Sequence, residues 1–255
     1  MTQEALTILF VGATGSVGRP AITEALRQGH TAQALVRNER WARILDDRAQ
    51  VIVGDLTRPE TLTAAVDGVD AVVFTHGAPY GSSDLEAVDY AGVRNILTAL
   101  HGRRARIALM TAIGVTARAD YYDWKRRSER LVRASGNPYT IVRPGWFDYN
   151  DKNQLQITLL QGDTRHAGNS SDGVIARHQI ARVLIDSLTS DDAANTAFEL
   201  VAEHGPEQPS RDSLFGRLDR DPSGGIDGVR DQQNLPLATE PGSVVADLEA
   251  FTNRT

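Results

Sequence analysis

Two rhythms of apolar and polar residues alternate along the first half of the chain. Short, nearly unbroken apolar runs stand at 6–11, 31–36, 50–53, 71–74, 106–110 and 139–142. Such runs predict strands covered on both faces, as in a parallel sheet. Between them, apolar positions recur at helical spacing over 17–28, 39–45, 59–66, 84–100 and 121–135. The punctuation agrees: Pro59 suits a first helical position, and Gly29 and Gly136 suit the residue just past a helix end. Strand and helix in alternation imply right-handed crossovers and an α/β fold with a doubly wound parallel sheet.

After Pro144 the rhythm breaks. Residues 145–171 are polar, with one apolar patch at 155–160. A helix is expected over 177–190, a strand over 196–201, a short helix over 211–218 and a last helix over 243–251. The division expected is a core over 1–150 and a small region over 151–255, integrated with the core and capping the carboxyl edge of the sheet on the substrate side.

Chemistry enters at the first strand–helix junction, Gly12-Ala13-Thr14-Gly15-Ser16-Val17-Gly18. The first amides of a helix have no intrahelical partner, and its dipole adds partial positive charge, so this turn predicts a seat for a diphosphate. One glycine makes the tight turn, a second admits the pyrophosphate, and a third lets helix and strand approach. Gly12, Thr14, Gly15, Ser16, Val17 and Gly18 are therefore candidate dinucleotide contacts.

Composition narrows the field. The formal charge of −6 argues against nucleic acid or an anionic membrane as the partner. No apolar run approaches the roughly 20 residues of a membrane span, and Met1 to Ala5 lacks the start of a signal peptide. With no cysteine there is no disulfide, thiolate ligand or thiol nucleophile, in keeping with a cytoplasmic protein. The six histidines have no ligand spacing, so no metal is expected.

Taken together, Gly12-x-x-Gly15-x-x-Gly18, Gly54-Asp55-Leu56, Tyr121-x-x-x-Lys125 and Ile141-Val142-Arg143-Pro144-Gly145 resemble the short-chain dehydrogenase/reductase superfamily, a set of NAD(P)-binding Rossmann proteins. The nearest match is its atypical and extended branch, beside the sugar-nucleotide epimerases, over about residues 5–201. The resemblance implies that Asp55 and Leu56 meet the adenine. It also implies that Thr75, His76 and Gly77 border the pyrophosphate and ribose, and that Pro144 lies near the nicotinamide. A histidine at position 76 is more often a loop residue than a catalyst. The resemblance allows a homodimer through the fourth and fifth helices.

Coenzyme choice is set at the end of the second strand, where an acid would bind a ribose diol. Here stands Val36-Arg37-Asn38-Glu39-Arg40, with Arg19 directly after Gly18. A guanidinium matches a 2′-phosphate bidentately, so NADP(H) is expected over NAD(H). For the chemistry, the resemblance implies a triad of Thr111, Tyr121 and Lys125. Tyrosine would move a proton at the substrate oxygen, lysine would hold the ribose and lower the tyrosine pKa, and threonine would bind substrate. Tyr122 is the alternative to Tyr121, and the basic run from Lys125 to Arg127 also reads as a solvated face. Trp146 and Phe147 are candidate walls of the substrate pocket, and Arg177 reads most simply as half of a helix-end ion pair. Three functions stay open: an NADP(H)-dependent oxidoreductase acting on a small carbonyl, alcohol or quinone-like substrate, a non-catalytic NADP(H) sensor, and a sugar-nucleotide epimerase or dehydratase.

Overall fold

The computed structural model describes residues 4–253, so the reading of the first five residues falls partly outside it. Ten strands form: β1 (Thr7–Val11), β2 (Thr31–Val36), β3 (Gln50–Val53), β4 (Ala71–Phe74), β5 (Arg106–Met110), β6 (Tyr139–Pro144), β7 (Trp146–Phe147), β8 (Gln156–Leu160), β9 (Val174–Ile175) and β10 (Thr196–Glu203). Eight of them make one sheet in the order β3-β2-β1-β4-β5-β6-β10-β8. All its pairings are parallel except that of β8 with β10. β7 and β9 pair separately. The strand order reverses between β1 and β4, and a crevice opens at such a point beyond the strands' carboxyl ends.

Six α-helices cover the sheet: α1 (Gly18–Arg27), α2 (Ala91–Leu100), α3 (Asp120–Ala134), α4 (Arg177–Thr189), α5 (Asp212–Phe215) and α6 (Gly242–Thr252). On one face α1 and α4 bury Ile22, Ala25, Ile180 and Leu184 against β1 and its neighbours. On the other, α2, α3 and α6 bury Val93, Leu97, Leu131, Val244, Leu248 and Phe251. No helix among the described residues is long and apolar enough to cross a membrane.

Three expected helices take other forms. The stretch at 39–45 is a 3-10 helix, Glu39–Ile44, capped by the Asn38 side chain on the Arg40 amide. The stretch at 59–66 is two 3-10 turns, Pro59–Thr61 and Thr63–Val66. Both are too short to repay α-helix nucleation. The helix expected over 84–100 begins as a π turn, Glu86–Tyr90, which carries Asp89 inward before α2 starts.

The region 151–255 does more than cap a sheet edge. It supplies two strands of the main sheet and a helix to each face, because β10 completes the parallel order and α4 buries its apolar stripe against α1, β5 and β6. Residues 221–240 run along α3, and the basic run there is not solvated. Arg130 pairs with Asp227 at 2.8 Å and Glu240 at 2.8 Å, Arg127 with Glu240 at 2.6 Å, and Arg133 with Asp221 at 2.8 Å. Arg126 and Arg130 are each 1% exposed. Buried guanidinium groups need several acceptors to offset their lost hydration, and the tail brings three acids, Asp221, Asp227 and Glu240, to them. α6 then lies on α2 and α3, with Asp247 accepting from Tyr90 at 2.9 Å and meeting Arg94 at 3.4 Å. The helix face through which the resemblance allows a homodimer is thus covered by the same chain.

Candidate dinucleotide site

The glycine turn is built as a cradle. Gly12 has φ of +87°, and a Cβ there would lie 2.5 Å from the His76 amide nitrogen. At Gly18 a Cβ would lie 2.2 Å from the Gly12 carbonyl oxygen, so only glycine lets α1 start this close to β1. The Gly15 amide donates to the Gly12 carbonyl at 2.9 Å, which closes the turn. Thr75 locks the end of β4 onto it, its hydroxyl donating to the carbonyls of Val11 at 3.2 Å and Gly12 at 3.3 Å. No side chain caps α1, and no acid occupies its first turn. The positive end of the helix is left for an anion.

A cleft of about 590 Å³ opens over this cradle and crosses the ends of β1 to β4. Gly12, Thr14, Gly15, Ser16, Arg37, Asp55, Leu56, Thr75, His76 and Gly77 all line it. Val17 and Gly18 stand behind the turn, with the Val17 side chain in the core. Asp55 accepts from the Thr57 amide at 2.9 Å and from its hydroxyl at 2.8 Å, contacts that, with Arg37 and Arg58 nearby, hold its carboxyl below the usual range. It therefore shapes the turn as well as facing the cleft. Arg40 does not join Arg37 there but lies over the Trp41 ring, 5.4 Å from its centroid. Arg19 does not line this cleft but a second hollow of about 540 Å³, with Pro20, His178 and Arg182. Trp41, which also lines the cleft, was not foreseen. Its one signal was an aromatic residue shortly after β2.

The His76 ring turns out of the cleft. Its Nε2 lies 3.0 Å from the Val88 carbonyl, so Nε2 carries the proton, and burial pushes its pKa down to about 4. The ring packs between Phe74 and the π turn.

Of the expected triad, Tyr121 and Lys125 lie together, while the Thr111 hydroxyl is engaged with α3. The Thr111 hydroxyl donates inward to Glu129 at 2.7 Å. Glu129 receives Arg143 at 3.1 Å and 2.6 Å, and Arg143 also reaches Asp231 at 2.7 Å and Glu199 at 3.3 Å. The chain of contacts continues from Glu199 to the Asp163 amide at 3.1 Å, and the Asp163 carboxylate accepts from the amides of Gly114 and Thr116, both at 2.6 Å. The loop after β5 is thereby fastened to the interior at both ends. Although burial opposes its ionisation, Glu129 is held below the usual carboxylate range by Arg143 and Arg133.

Lys125 and Tyr121 do come together, but not in the expected relation. Lys125 Nζ pairs with Asp89 at 2.9 Å and sits over the Tyr121 ring, 4.7 Å from its centroid. The Tyr121 hydroxyl is not activated: burial first, then the Asp89 charge, push it up to about 12. Tyr80, Tyr121 and Tyr122 form an edge-to-face row, with neighbouring centroids 5.3 Å apart. Trp146 and Phe147 diverge, as successive strand residues must. Trp146 points outward to Tyr149, while Phe147 packs on the core beneath Arg177. Arg177 is tied to Asp148 next to its own helix, the local pair expected of it. Pro144 is buried at the end of β6, where its carbonyl accepts from the Ile113 amide at 3.1 Å.

The sequence pattern of one known family, described as NAD(P)H-binding, matches residues 12–191. This chain belongs to the NAD(P)H-binding family. Its strand order and crossovers are those of the Rossmann fold. It is 27% identical over 205 residues to the photosystem II assembly factor Ycf39 of Synechocystis, covering 77% of this chain and 62% of that protein. The chain thus spans under two thirds of that relative's length. It is 25% identical over 268 residues to sanguinarine reductase of Eschscholzia californica, covering 85% of this chain and 97% of that one. Among solved structures, a putative NAD-dependent epimerase/dehydratase of Bacillus halodurans superposes with a TM-score of 0.70 at 24% identity, over 84% of this chain and all of that one. That likeness shows the fold.

Proposed function

We propose that this member of the NAD(P)H-binding family is a cytoplasmic NADPH-dependent reductase of a small carbonyl or quinone-like substrate. The observation that carries the coenzyme choice is Arg37, which closes β2 at the rim of the cleft where an acid would select NAD(H). Bound there, NADPH supplies a hydride at nicotinamide C4. The uncapped start of α1 holds the diphosphate, and Asp55 and Trp41 border the adenosine half; the Tyr80–Tyr121–Tyr122 row, next to Lys125 beneath Gly77, is assigned to the substrate side. The Tyr121 phenol, raised by burial, is protonated at neutral pH, the form that can give a proton to a reduced oxygen. A relative named as a reductase supports the same direction.

Calorimetry with both coenzymes, followed by NADPH consumption across a carbonyl and quinone panel, tests this reading. NADPH should bind more tightly than NADH. Arg37→Ala should weaken NADPH about 10- to 100-fold, the loss of a charge-assisted pair, and change NADH far less. Equal affinity in the wild type overturns the coenzyme assignment.

The inward turn of Thr111 also favours a second reading, a dinucleotide sensor that signals to a protein partner. A relative named as an assembly factor fits it. Tight NADPH binding with no turnover on any acceptor selects the sensor.

A further inference from the structure

Asp89 is placed by the π turn before α2 and is only 4% exposed. Its Oδ1 accepts from Lys125 Nζ at 2.9 Å and from the Ala78 amide at 3.2 Å, while Oδ2 is buried without a hydrogen-bond partner. Gly77 leaves room for the pair, since a Cβ there would lie 3.3 Å from Lys125 Nζ and 3.4 Å from Asp89 Oδ1. The carboxylate and ammonium therefore meet directly beneath the cleft floor, against the face of the Tyr121 ring.

We propose that Asp89 is a positioning residue for Tyr121: it holds the Lys125 ammonium over the ring and neutralises it, so that the cation does not draw the phenol toward phenolate. A lone cation beside a phenol favours the phenolate. Paired at 2.9 Å with a buried carboxylate, the same cation presents little net charge. The remaining groups around the ring do not replace it. Tyr80 comes from the loop after β4 and Tyr122 from α3, and both are neutral phenols; His76, beside Asp89, is held neutral by burial. The π turn is what makes this possible, because it rotates Asp89 inward where a regular helix would carry it elsewhere.

The consequence for turnover rests on the reductase reading. Hydride adds to the acceptor carbon, the acceptor oxygen takes the Tyr121 proton, and the phenolate recovers a proton from water. The reverse step uses that same phenolate to take the alcohol proton while hydride leaves for NADP⁺, so Asp89 bears on both directions alike.

The test needs no coenzyme, so it stands or falls apart from that reading. Tyrosine ionisation is followed by ultraviolet absorbance in the full chain. Asp89→Asn should bring one additional tyrosine into ionisation near the ordinary range, about pH 10, with its transition moved down by about 1–2 pH units. That transition should vanish in Asp89→Asn/Tyr121→Phe and return upward in Asp89→Asn/Lys125→Met. Asp89→Glu, which keeps the charge, should leave the wild-type curve in place. A wild-type curve in the Asn variant, or a new transition that survives Tyr121→Phe, overturns the proposal. An equal shift in the Glu variant marks a merely structural effect and also overturns it. If the Asn variant does not fold, Asp89→Ser carries the same expectation.

Discussion

A missing methyl group decides how closely α1 can approach β1. At Gly18 the obstacle to a Cβ is the Gly12 carbonyl oxygen, a backbone atom in a turn that cannot swing aside. Gly18→Ala should therefore weaken dinucleotide binding at least about 10-fold and cost about 1–3 kcal/mol of stability, read by calorimetry and urea denaturation. Glu199 gives a different single-residue signature. Burial, and secondarily Asp163, raise its pKa from 4.5 to about 7, against the pull of Arg143. The folded state thus holds a proton that the unfolded chain has released. This contribution is full below pH 4.5 and is lost as pH rises through 7, amounting to about 3 kcal/mol. Glu199→Gln cannot release that proton, so its stability should fall less than the wild type's between pH 5 and pH 8 in paired denaturation curves. Single residues were also where the sequence spoke most directly. Glycine spacing and Arg37 named the cradle and its rim, because a turn needing positive φ and a strand end beside a ribose are local demands. Thr111 was misjudged, because its partner Glu129 lies on a helix that the sequence could not orient toward it.

The elements divide by how local their causes are. Strands β1 to β6 and helices α1, α3 and α4 follow from apolar period and terminal glycines. The π turn does not, since its extra residue per turn is stabilised only by what Asp89 and Tyr90 find in the interior. α3 is the clearest case of an element whose character is set from outside. Read alone it is a basic helix fit for solvent, yet its arginines are buried under residues 221–240. Arg130→Met leaves Asp227 and Glu240 short of a partner and should cost about 3–5 kcal/mol, measured by denaturant unfolding. Ending the chain before α6 strips Val244, Leu248 and Phe251 from the core and uncovers the α2–α3 face. The shortened chain should lose about 5 kcal/mol or more, at about 1.5–3 kcal/mol per buried apolar side chain, and should self-associate in sedimentation.

For the molecule as a whole, the cleft joins segments from four strand ends, so binding there should stabilise the entire fold. At 100 times Kd, NADPH should add about 2.7 kcal/mol and raise the melting temperature by several degrees in a thermal scan. The same scan with Gly18→Ala should show little or no rise. The C-terminal region shares the main sheet through β8 and β10. The buried path from Thr111 through Glu129, Arg143 and Glu199 to Asp163 fixes the loop after β5.

By itself the sequence determined the strand–helix alternation, the tight glycine turn before α1 and the arginine after β2, because each is written in neighbouring residues as periodicity, spacing or backbone freedom. Tertiary structure alone decided which charges are paired and therefore what the polar residues can do. Lys125 with Asp89, Thr111 with Glu129, and the arginines of α3 with the tail are contacts between residues 18 to 113 positions apart. The burial that sets their proton affinities exists only once the chain has closed around them.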